Sequence, residues 1–149
     1  MKLSTKSRCG TRILMDLARS YDQGPISVSE VSRSQGISVK YVEQLIRPLK
    51  KAGYIHSTRG SKGGHYLAVK PEDISVGSIV RLLETHSELV ACIASPEDCD
   101  RSDECKVRLV WSEATHVLYN YLDSITINDL IDDSVEIPCD RRLSLGSGI

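Results

Sequence analysis

Apolar residues recur every four positions near the start of the chain, at Cys9, Ile13, Leu17 and Tyr21, with Leu14 and Ala18 beside them. That stripe predicts a first helix from about Thr5 to Tyr21, buried along one face and ended by Gly24-Pro25. Ser27 and Glu30 then stand at capping-box spacing, and Val28 and Val31 before the Gly36 turn mark a short second helix. Ser38 can cap a third helix with apolar positions Val39, Val42, Leu45 and Ile46, leaving Tyr41, Glu43, Gln44 and Arg47 on other faces. Short helix, glycine turn and capped helix together outline a helix-turn-helix. Pro48 removes a backbone donor inside the third helix, so a kink is expected there before the stop at Gly53.

Residues Tyr54 to Thr58 and Tyr66 to Val69 read as two short strands. Between them, Arg59-Gly60-Ser61-Lys62-Gly63-Gly64-His65 forms a basic hairpin tip. A phosphate-cradling nucleotide loop would lead into a helix, whereas here a strand follows. Ser75 to Thr85 predicts an amphipathic helix through Val76, Ile79, Val80 and Leu83. The polar, acidic stretch from Ala91 to Glu104 is expected as a loop, with Cys92, Cys99 and Cys105 in it or at its end. Beyond it, Val107, Val110, Ala114, Val117 and Tyr121 step by three and four, flanked by Trp111, Leu118, Leu122 and Ile125. This heptad spacing predicts a long helix whose seam pairs with a second copy. A short helix over Thr126 to Asp132 and a frayed tail from Pro138 complete the chain.

Length and composition fit one compact domain with an appendage: 149 residues, 40% hydrophobic and 26% charged. No apolar run approaches the roughly 20 residues of a membrane span and no secretory signal is visible, so a cytoplasmic protein without a membrane partner is expected. Five cysteines are an odd number, which disfavours a disulfide framework and points to metal or redox chemistry. The formal net charge of -1 hides a division. Residues 1–70 carry 13 Lys and Arg against 4 Asp and Glu, whereas residues 71–149 carry 6 against 16. A basic first half beside an acidic second half implies a polyanion held by the first.

The stretches MKLSTKSRCGTR and SVKYVEQLIRPLKKAGYIHSTRGSKGGHYLA, with three spaced cysteines, resemble the iron-sulfur winged-helix regulators of the IscR, NsrR and RirA type over about residues 1–125. The resemblance implies a mainly α fold with a small β-hairpin, a winged helix-turn-helix domain plus a long dimerisation helix. Residues 1–85 would bind DNA, 86–105 form a cysteine-bearing metal loop, 106–135 the dimerisation helix and 136–149 a flexible tail. It further implies a homodimer on double-stranded DNA. Ser38, Tyr41 and Gln44 would face the major groove, Glu43 would tune which operator is read, and Arg59 would enter the minor groove from a wing tip that also presents Gly60 and Lys62. Chemistry supports these roles: Gln bonds adenine in a bidentate manner, Glu accepts from cytosine N4 but repels phosphate, and Arg suits a narrow minor groove. The plainer alternatives are that Tyr41 packs against the helix pair and that Glu43 is a solvated charge.

Thiolates are the soft ligands that iron-sulfur clusters need, and Cys92, Cys99 and Cys105 are spaced more widely than the short pairs of structural zinc sites. A 2Fe-2S or 4Fe-4S cluster is therefore expected, with zinc or unliganded thiols as alternatives. The fourth ligand departs from the family. Arg108 stands where the IscR type has a histidine, and Arg8 where the NsrR type uses an acidic residue of the partner's first helix; neither can ligate. Cys9 from a second subunit and His86 remain, each with a plainer reading: Cys9 in the core, His86 at the surface. His116 lies roughly 16 Å along the helix from Cys105 and is too far, and Cys139 is incidental. The expected function is a sequence-specific transcription regulator, with repression as its mode, that senses redox state, iron or nitric oxide. The alternatives are a cluster-free regulator acting through thiols or a partner protein, and an iron-sulfur redox protein. No catalytic constellation is visible, and an enzyme is not expected.

Overall fold

The computed structural model describes residues 3–86 and 88–134. Helix α1 (Thr5–Arg19) begins where the Ser4 hydroxyl accepts from the Lys6 amide, and its inner stripe of Ile13, Leu14 and Leu17 is fully buried. It ends two residues earlier than its apolar spacing suggests, leaving Tyr21 38% exposed. The predicted capping box opens α2 (Val28–Gln35): Ser27 accepts from the Glu30 amide, and Glu30 accepts from the Ser27 amide. Helix α3 (Val39–Lys51) is capped by Ser38 and runs unbroken through Pro48. Val42, Leu45, Ile46 and Leu49 form its buried face, whereas Val39, placed on that face by spacing, is 43% exposed in the first turn.

Strands β1 (Ile55–Thr58) and β2 (Gly64–Leu67) pair antiparallel with Ile55 opposite Leu67 and Ser57 opposite His65. Gly64 and His65, assigned to the turn by sequence, belong to β2. Main-chain bonds between Ile26 and His65 in both directions, 2.9 and 2.8 Å, brace this hairpin against the segment preceding α2. Helix α4 (Val76–Leu83) buries Ile79 and Leu83 against the same core, and Val80 is buried beside them.

The segment expected as a loop contains a short helix, α5 (Ala91–Ala94), and a 3-10 turn over Pro96–Asp98. Proline at the start of a turn has its ring angle preset and needs no donor, which explains local order in so polar a stretch. Helix α6 (Lys106–Asp123) is the predicted long helix. Ile125, read from spacing as an extension of the seam, is instead buried beyond the helix end, where its carbonyl accepts from the Val76 amide at 2.8 Å. Thr126 and Asp129 form a second capping box, opening α7 (Ile127–Ile131). Ile127 is fully buried in the core shared with α1, α3 and α4, so α7 packs back onto the same body while α6 leaves apolar side chains such as Val110 and Val117 exposed. The expected tail and Cys139 lie outside the described residues.

Candidate nucleic-acid interface and cysteine segment

Helix α3 presents Lys40, Glu43, Gln44 and Arg47 to solvent away from its buried stripe, with the capping Ser38 and the first-turn Val39 exposed at its N-terminus. The Ser38 hydroxyl accepts from the Tyr41 amide at 3.2 Å and keeps its own proton free to donate outward. A capped helix N-terminus with polar and basic neighbours suits the edge of a nucleic-acid groove. Tyr41 is half-buried and packs against the core; burial pushes its phenol pKa up, and Cys9 behind it adds to the effect. The packing expected as the plainer alternative for Tyr41 is therefore present, with the residue only partly covered.

Arg59, Gly60, Ser61 and Lys62 form the exposed hairpin tip. Gly60 has φ +115°, a conformation side-chain-bearing residues rarely adopt, and this turns the tip back between Arg59 and Lys62. The hairpin base is tied to α3, because Lys50 Nζ donates to Ser57 Oγ. His65 sits at the same junction with a buried Nδ1 that has no partner among the described residues. Burial and then the Lys50 ammonium lower its pKa below the ordinary value, while Glu43 opposes them. Neither the role of His65 nor its coupling to Glu43 was visible in sequence; the two residues stand 22 positions apart.

Cys92 lies on α5, Cys99 directly follows the 3-10 turn, and Cys105 precedes the first turn of α6. All three are half-buried free thiols. The stretch between the last two is folded on itself: the Cys99 carbonyl accepts from the Ser102 amide at 3.0 Å, and the Arg108 guanidinium donates to the Ser102 carbonyl at 3.1 Å. Arg108 therefore has a structural task where the resembling family has a ligand. Cys105 borders a cavity of about 460 Å3 with Asp100, Arg101, Asp103 and Glu104. Within the single chain, no three His, Cys, Asp or Glu side chains among the described residues are gathered closely enough to hold a metal ion. Cys9 is 8% exposed within the core, whereas Arg8, His86 and His116 are exposed.

Two links join this segment to the body formed by α1 and α4. Glu84, immediately after α4, accepts from the Ser4 amide at 2.8 Å and from the buried Ser7 hydroxyl. Burial opposes its ionisation, but these bonds and the Lys6 charge outweigh that and hold its carboxyl below the usual range. At the far end of α6, Asp123 receives a bidentate bond from Arg81 at 2.8 and 2.5 Å and another from Ser75 at 3.2 Å. The Arg81 guanidinium also lies 4.3 Å from the Tyr119 ring centre. A side chain at Gly77 would collide with Asp123, so the glycine permits the close α4–α6 approach. Sequence reasoning missed both links, since the partners are 80 and 42 residues apart and ordinary surface charges by composition.

A capped outward helix beside a basic antiparallel hairpin is the geometry of a winged helix, and comparison with known proteins agrees. The model of the Rrf2 family, described as an iron-dependent transcriptional regulator, matches residues 3–133. The chain belongs to the Rrf2 family of transcriptional regulators. Protein rrf2 of Nitratidesulfovibrio vulgaris is 46% identical over 138 residues, covering 93% of this chain and 92% of that protein. The structure of CymR, the global cysteine regulator of B. subtilis, matches with a TM-score of 0.73 and 34% identity over 88% of this chain and 96% of that one. That of T. potens IscR matches with a TM-score of 0.70 and 35% identity, covering 94% and 93%. Rrf2 relatives are DNA-binding regulators, not enzymes. Among the described residues of this Rrf2 chain, no helix is long and apolar enough to cross a membrane.

Proposed function

We propose that this Rrf2 regulator acts in the cytoplasm as a homodimer on pseudo-palindromic double-stranded DNA, and that the state of Cys92, Cys99 and Cys105 sets its operator affinity. Ser38, Tyr41 and Gln44 read the major groove, Glu43 discriminates among operators, and Arg59, Gly60 and Lys62 engage the minor groove and its phosphates. One recognition helix contacts too few bases for a specific site, and the exposed apolar face of α6 supplies the self-complementary seam for a two-fold dimer.

The observation that carries the sensing role is the position of the three half-buried free thiols: they lie in one segment bounded by α4 and α6, each tied to the DNA-binding body. Their donor chemistry suits an iron-sulfur cluster, which when bound would supply a centre responsive to oxidants and iron supply. Cys92, Cys99 and Cys105 would hold it, and His86, exposed at the start of the segment, is the accessible candidate for the fourth position. Glu84 anchors that end to α1, and the Arg108 bond to Ser102 shapes the other. A ligand changes DNA affinity only through its different affinity for the two protein states, so the anchors are where such a difference is transmitted.

Anaerobic purification followed by absorption spectroscopy and operator binding tests this reading. A coloured protein whose colour and DNA selectivity are both lost in each of Cys92→Ala, Cys99→Ala and Cys105→Ala, with the dimer retained, is the expected result. Wild-type colour and selectivity in all three would remove these thiols from sensing. The separation of the thiols within one chain favours one second reading, direct thiol sensing without a cluster. It predicts a colourless protein whose operator affinity changes reversibly with thiol oxidant and reductant.

A further inference from the structure

A cavity of about 350 Å3 opens behind the recognition helix, between α1, α3 and α4. Its floor is apolar, built from Leu45, Pro48, Leu82 and Leu83, of which Leu45 is only 2% exposed. Its rim is polar: Lys6 of α1 stands across from Tyr41 and Gln44 of α3. One further polar group follows from the sequence of α3. Pro48 has no N–H to return to the Gln44 carbonyl one turn earlier, and both residues line the cavity, so a main-chain acceptor without its helical donor lies beside it. An apolar floor with a few convergent polar groups is the make-up of a small-molecule site, and this volume lies within the range of such sites.

We infer that this cavity binds a small zwitterion with an apolar side chain, of the free amino acid class, and that its occupancy competes with operator reading. The Lys6 ammonium takes the carboxylate, the Gln44 carbonyl and Tyr41 hydroxyl take the ammonium, and the leucines take the side chain. Because Tyr41 and Gln44 belong to both surfaces, ligand and operator draw on the same two residues, and each weakens the other's binding by the same factor. This rests on the proposed DNA-reading role of Tyr41 and Gln44, and is independent of any cluster.

The test titrates the full-length dimer with L-leucine, with 4-methylpentanoate, which lacks the amine, and with 3-methylbutylamine, which lacks the carboxylate. Amide shifts report binding, and an operator selected from a random duplex pool reports DNA affinity. L-leucine is expected to saturate and to shift the amides of Lys6, Tyr41, Gln44 and Leu82, with each single-charge analogue about tenfold or more weaker. Saturating leucine should weaken operator binding severalfold and leave random DNA unaffected. Lys6→Met, an exposed change that spares the fold, should abolish discrimination between leucine and 3-methylbutylamine. Leu82→Trp, which fills the cavity, should abolish both binding and competition. No saturation by about 10 mM leucine, or unchanged operator affinity at saturation, overturns the proposal. A ligand-free protein without operator selectivity would instead fault the DNA-reading assignment.

Discussion

Replacing Val110 and Val117 together by glutamate tests the α6 seam most directly. In the single chain these side chains remain 60% and 57% exposed, and they line a shallow apolar groove with Leu109, Ala114 and Leu118. Full burial of a valine is worth about 1.5–3 kcal/mol, so covering the exposed remainder contributes about 1–2 kcal/mol per side chain. Two valines on each of two protomers make four such side chains, or about 4–8 kcal/mol, which is roughly three to six powers of ten in the dimer dissociation constant. The introduced carboxylates would face one another across the two-fold axis and add repulsion. Sedimentation equilibrium should show monomers at concentrations where the wild type is dimeric. Operator affinity should fall with the dimer, because each half-site is then bound alone. The valines are exposed in the single chain, so the monomer should keep its helix content and unfold cooperatively. A double variant that remained dimeric would refute the seam assignment.

Gln44→Ala should cost about 1–3 kcal/mol on the operator and little on random DNA, while Lys62→Ala should weaken both and lower the salt slope by about one; equilibrium binding across a salt series separates them. Because the pKa of His65 is depressed in the native state, the unfolded chain takes up the proton first as pH falls through the ordinary histidine range near 6.5. Stability should therefore decline with acidification until the native pKa is passed and then level off, and His65→Phe should flatten that part of a denaturant-unfolding pH profile. Gly77→Ala should destabilise by about 1–3 kcal/mol through overpacking against Asp123; in an Asp123→Ala background, urea unfolding should show a smaller penalty.

The elements most legible in the sequence were those whose signals are local. Ser27 with Glu30, Ser38 with Tyr41, and the apolar stripes of α1, α3 and α4 each specify an element within a few residues, and the structure places them as expected. Errors arose where spacing alone was extrapolated past an end. Tyr21 and Ile125 continue their helical stripes numerically, yet Tyr21 closes a terminal turn onto the Ala18 carbonyl and stays 38% exposed, whereas Ile125 turns into the core through a main-chain partner far away in the chain. For Ile125 the partner is the Val76 amide, 49 residues back in the chain.

Long-range polar pairing explains the remaining gap in the site. The sequence identifies three thiols and a capped, outward-facing helix, but how the elements that carry them are joined depends on pairings such as Glu84 with Ser4 and Ser7, and Arg81 with Asp123. A surface ion pair by itself contributes little. The Arg81–Asp123 pair matters for its geometry: it is bidentate, joined by Ser75, and held where Gly77 lets two helices meet. The cysteine segment is thereby suspended between two fixed points, Glu84 held to the start of α1 and Asp123 held to α4. In the proposed reading, a change in how Cys92, Cys99 and Cys105 are held would load those anchors, and α1 and α4, which carry them, pack on the same core as Tyr41.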